Sequence, residues 1–167
     1  MKLMRNRTVF LAVGVVTFLL VACGSTKEMT SKSEKIPFET IYTNSLGGGG
    51  YEGIEESIIV CNSQAELDTL TERMNAVNNA SQFTKEISVD FDNESIVAYF
   101  QPVRSSGGYG LSADSLMYRS INGSTMYTMY YTVEIPKGAT ISVLTQPFIF
   151  VKTGKLNGPI DFVVVEK

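Results

Sequence analysis

Asp90, Asp92 and Glu94 stand at alternate positions, a spacing that could gather oxygen ligands around a calcium ion. A helix–loop–helix calcium loop would also need glycine at its sixth position and glutamate at its twelfth, where this chain has Ser95 and Gln101. The three acidic residues therefore read as a solvated turn leading into an apolar strand. Gly48-Gly49-Gly50-Tyr51-Glu52-Gly53 formally matches G-x-G-x-x-G. A dinucleotide site needs that loop to open a helix whose amides meet a pyrophosphate, but the residues that follow, Ile54 to Val60, are β-branched and strand-like. No Gly-Lys-Ser/Thr, G-x-S-x-G or S-x-x-K pattern occurs. The chain has no histidine, which removes the Ser-His-Asp triad, the Cys-His dyad and every histidine-containing zinc site. A hydrolase using carboxylates such as Asp90, Asp114 or Asp161 is the surviving enzyme reading, and it would require a pair about 5–9.5 Å apart. The residues themselves point to no enzyme, no metal and no cofactor.

The two cysteines carry different expectations. Lys2, Arg5 and Arg7 form a positive head, followed by an uncharged run from Val9 to Val21. A spanning helix needs about 20 apolar residues, so this shorter run reads as a secretory signal. It ends in Leu20-Val21-Ala22-Cys23-Gly24, which resembles the lipobox of bacterial lipoproteins. On that reading residues 1–22 are a signal peptide, Cys23 is lipidated, and the mature chain is anchored to a bacterial membrane on its periplasmic or surface side. Two acyl chains already suffice for stable anchoring. The three basic head residues leave with the signal, which takes the formal charge from −3 to −6. Nothing in that balance invites nucleic acid. Cys61 then has no intrachain partner, and after Ile58-Ile59-Val60 it reads as a small buried hydrophobe. Residues 23–36 are expected as a flexible tether, of which the twelve mostly polar residues Gly24 to Lys35 span at most about 40 Å.

Residues 37–167 remain as one domain, enough for a single core. Pro37 to Thr43 and Ile54 to Val60 read as strands. Ser63-Gln64-Ala65-Glu66 fits a capping box, and Leu67, Leu70, Met74 and Val77 follow at helical spacing, with Asn78-Asn79 ending the helix. Ile96 to Phe100, Tyr109 to Met117, Phe148 to Val151 and Phe162 to Val165 are further strands. Asn122-Gly123 marks a two-residue hairpin. Beyond it Tyr127, Met129, Tyr131, Val133 and Ile135 alternate with polar positions, as a half-buried antiparallel strand would. The expected fold is α+β: an antiparallel sheet or sandwich of six to seven strands with one amphipathic helix near the start.

Three loop segments stand out as candidate contact surfaces. They are Leu46 to Gly53 with Tyr51, Arg104 to Gly110 with Gly107, Gly108 and Tyr109, and Thr145-Gln146-Pro147-Phe148. Glycine-rich loops with aromatic tips can simply turn the chain and cap the core edge. They also make protein-contact anchors.

The order of motifs adds a resemblance. Gly53-Ile54 precedes a strand, Ser63-Gln64-Ala65-Glu66-Leu67 opens a helix, and Val89-Asp90-Phe91 precedes Ser95-Ile96-Val97-Ala98. Ser106-Gly107-Gly108-Tyr109 and Thr145-Gln146-Pro147-Phe148-Ile149-Phe150-Val151-Lys152 follow in turn. This arrangement resembles the PrcB C-terminal domain family from about Gly50 to the end, although Leu67 and Leu70 stand where that family often has tryptophan. The resemblance implies an exported accessory domain that binds another exported protein, a protease in the case that names the family. It carries over no catalytic residues. A protease inhibitor plugging an active-site cleft with the same loops is the alternative.

Overall fold

The computed structural model describes residues 31–121 and 123–167. The signal segment, Cys23 and Asn122 lie outside the described residues. Eight strands build two four-stranded sheets. The first contains β1 (Ser31–Ile36), β5 (Gly110–Ile121), β6 (Ser124–Glu134) and β8 (Ile160–Glu166), in the order β1-β5-β6-β8. The second contains β2 (Phe38–Leu46), β3 (Ser57–Cys61), β4 (Glu94–Phe100) and β7 (Gln146–Gly154), in the order β2-β7-β4-β3. All neighbours run antiparallel except β6 and β8, which are parallel. The expected α+β sandwich is thus a mainly β molecule with one more strand than anticipated.

That extra strand is β1. Residues 31–36 fall in the segment expected to be tether, yet Lys32 pairs with Ser120 and Ile36 with Leu116. Lys and Glu side chains point to solvent from an edge, and they spare the strand from pairing further. Composition alone made this stretch look unable to fold, because its backbone rather than its side chains holds it.

The second sheet is covered on both faces. Val97, Tyr99, Ile149 and Val151 face the first sheet, where they meet Leu116, Met129, Tyr131 and Val133. Ile96, Ala98, Phe100, Phe148 and Phe150 point the other way, under Leu67, Leu70 and Met74 of α1 (Gln64–Met74) and under Phe83. Hence β4 and β7 read as unbroken apolar runs, whereas β6, with one face toward solvent, alternates. The cap forms with its return bond shifted by one residue: Ser63 Oγ accepts from Glu66 N, and Glu66 accepts from the amide of Asn62, just before the cap, at 2.6 Å. The helix stops earlier than its apolar spacing suggested. Asn75 ends it, its side chain accepting from Ala80 N and Ser81 N, and Val77 is left exposed. The asparagine offers the backbone an alternative to another helical turn. Ile135 likewise lies beyond the end of β6 and is exposed. At the hairpin, Ile121 pairs directly with Ser124, so two residues connect β5 and β6, and Gly123 takes φ +83°. Among the described residues, no helix is long and apolar enough to cross a membrane.

Candidate functional site

The registers bring the three sequence-selected loops to one end of the sandwich. Leu46 is opposite Gln146, Phe100 opposite Phe148 and Gly110 opposite Glu134. The connections 47–56, 101–109 and 135–145 therefore emerge side by side. Tyr51 crowns the first, with Gly48 O accepting from its backbone N–H at 3.2 Å. Gly49 and Gly50 adopt positive φ there, and a Cβ on Gly50 would lie 3.1 Å from Val103 Cγ2. Glycine is thus needed for both backbone shape and close approach. The Tyr51 ring is 86% exposed.

The loop leading into β7 continues the surface. Ile141 is 72% exposed and Leu144 52%, with Val143 and Val103 also outside the core. Leu144 lies against Gly49, and Ile141 and Val143 lie over Gly107, where a Cβ would meet Ile141 Cγ1 at 3.3 Å. Tyr51, Val103, Leu144, Val143 and Ile141 thus line an apolar end face spread over three loops. Scattered exposed aliphatics are ordinary, whereas a cluster calls for a reason. Sequence reasoning had passed over Ile141, Val143 and Leu144. Their signal was an apolar run after Lys137-Gly138 that forms no strand.

Other candidates prove to be struts. Gln146, Pro147 and Phe148 are buried, which corrects their expected role as contact residues. Gln146 Nε2 donates to Ile54 O at 2.7 Å and to Gln101 O at 2.8 Å, tying three loop bases together. Phe148 is packed among Tyr42, Phe83, Phe100 and Phe150. Arg104 exchanges backbone hydrogen bonds with Thr145, pairs with Glu166 at 2.6 Å and lies 4.8 Å from the Tyr109 ring centroid. It clamps the second loop to the third and to the end of β8. Tyr109 is half-buried against the inter-sheet core, Gly107 is buried, and Gly108 is exposed with φ +89°. Of the residues chosen from sequence, only Tyr51 and Gly108 are fully presented.

The acidic candidates do not converge. Asp90 accepts from Asp92 N and Asn93 Nδ2, which holds its carboxyl below the usual range, and its own amide donates to Glu94. This is the self-satisfied turn its sequence suggested. Asp114 accepts from Thr132, and Asp161 from Phe162 N. Thr132 and the residue opposite Asp161, Thr128, are four positions apart on β6, which is about 13 Å of strand. No group of three or more Cys, Asp or Glu among the described residues could hold a metal ion. Cys61 is buried, and burial with Glu66 nearby pushes its thiol up to about 12, so it stays protonated. No protein-family model matches the chain, and no curated protein or solved structure matches it either.

Proposed function

We propose that this chain is a lipid-anchored extracytoplasmic domain that acts by binding another exported protein through the loop end of its sandwich, without catalysis of its own. The observation that carries this reading is the apolar end face of Tyr51, Val103, Ile141, Val143 and Leu144, held in place by a rigid underlayer of Gln146, Arg104 and Gly107. An anchor of this kind, an aromatic ring among aliphatics on a preorganised scaffold, suits protein recognition. An exported protease is the partner class implied by the resemblance to the PrcB C-terminal domain family.

The path of the chain supports the same orientation. β1 starts at Ser31, opposite Ile121 at the hairpin end, and β2 ends at Leu46, at the loop end. A lipid on Cys23 would enter from the hairpin side, the end opposite the apolar face. Residues 24–30 can span at most about 25 Å, so the body stays close to the headgroups.

A photoreactive amino acid at Tyr51, introduced into the full chain in its native envelope, should crosslink to an exported protein. The same group at Lys85, on the helix side, should not. Equal labelling at both positions, or none at Tyr51, overturns the proposal. Stoichiometric inhibition of a subtilisin-like protease by the purified chain, lost on Tyr51→Ala, would identify the inhibitor form of the same reading.

A further inference from the structure

The four outer strand edges of the sandwich are not alike. β1 presents Lys32, Glu34 and Lys35, β2 carries Glu39 and a register shift between Thr40 and Tyr42, and β8 carries Asp161 and Glu166. Charges and bulges of this kind discourage further pairing. β3 has neither. Its sequence is Ser57-Ile58-Ile59-Val60-Cys61, it pairs only with β4, and no strand among the described residues covers its outer edge. Beside that edge lies an apolar groove of about 320 Å³, lined by Ile59, Val60, Cys61, Ala65, Leu70 and Arg73 among others.

α1 runs back alongside β3. Glu66 in its first turn accepts from Asn62 N just after the strand, and Arg73 in its last turn donates to Gly53 O at 2.9 Å, before the strand begins. Of the groove's two charged lining residues, Glu66 is therefore next to Cys61 and Arg73 toward the Ser57 end. Thr69 lies between them on the groove side and Ala65 just ahead of Glu66, both small.

We propose that this edge is a two-fold interface with a second copy of the chain, the two β3 strands pairing antiparallel about Ile59. Such a two-fold sets Ser57 of one copy opposite Cys61 of the other. It keeps Ile59 and Cys61 on the helix face in both copies, as the period of two requires. It also brings Glu66 of each copy to Arg73 of the other, a self-complementary exchange of charge that an isologous contact needs. The short Ala65 and Thr69 side chains leave room for the two helices to approach. Pairing would satisfy the open backbone groups of β3 and join two four-stranded sheets into one. The interface lies on the flank of the sandwich and stands independently of the loop-end surface.

The test uses the full chain in mild detergent with Cys23→Ser and Cys61→Ala, so that an introduced cysteine is its only thiol. It should sediment as a dimer at tens of micromolar. Ile59→Cys should form a covalent dimer on mild oxidation, whereas Val165→Cys, exposed on β8, should not. Arg73→Glu should dissociate the dimer, and Glu66→Arg combined with Arg73→Glu should restore it, with helix content followed by circular dichroism. A cysteine-free chain that stays monomeric overturns the proposal and leaves the groove to an extended segment of a different protein. A folded Ile59→Cys dimer that fails to crosslink overturns it equally.

Discussion

Gln146 shows how a residue chosen from sequence for contact can serve the site from beneath it. Its amide nitrogen spends both hydrogens on buried carbonyls, those of Ile54 and Gln101. Truncation would leave both acceptors without a partner, away from water. Gln146→Ala should therefore lower stability by about 3 kcal/mol, measured by urea unfolding, and the loops should lose protection from amide exchange. A Tyr51 substitution should do neither, because that ring touches little of the fold. The Thr-Gln-Pro-Phe motif was legible as something particular, but not as structural. Nothing local in a sequence says whether an amide faces a partner or its own backbone.

At the scale of elements, α1 was the most legible feature, since cap and stripe both lie within one stretch of chain. Ser63, Glu66, Leu67, Leu70 and Met74 all take their expected places. The misjudged end follows from Asn75, which bonds to Ala80 and Ser81 rather than continuing the helix. Apolar spacing alone gave Leu70 and Val77 equal standing, and burial separates them. Leu70→Ala should cost about 3 kcal/mol through the cavity it leaves, whereas Val77→Ala should change the unfolding midpoint little. The β6–β8 pair was legible as two strands but not as parallel neighbours. Direction depends on how the connection through β7 crosses between sheets.

For the molecule as a whole, the decisive feature is that the chain enters at one end of the sandwich and gathers its apolar loops at the other. The entry strand has a direct consequence. Lys32 and Lys35 lie in β1, paired with Ser120 and Met117. Limited trypsin digestion of the full chain should not accumulate a fragment beginning at Ile36, as it would if residues 23–36 were all tether. Mass spectrometry of the core fragment reads the difference. The two candidate interfaces also sit apart, one on the loop end and one on the β3 flank, and because the two-fold pairs the β3 strands antiparallel, a dimer would carry its two loop faces at opposite ends.

From the sequence alone came the features whose causes span a few residues: the capping box, the two-residue turn after Ile121, the alternation along β6 and the absence of imidazole chemistry. The tertiary structure alone decided which apolar side chains are covered. Phe148 and Leu144 look alike in the sequence, four residues apart. Phe148 meets Tyr42, Phe83 and Phe100, residues brought in from distant parts of the chain, while Leu144 meets solvent and the backbone of a glycine loop. Burial belongs to pairs of surfaces and not to single segments, so a surface available to a partner appears only once the sheets have found each other.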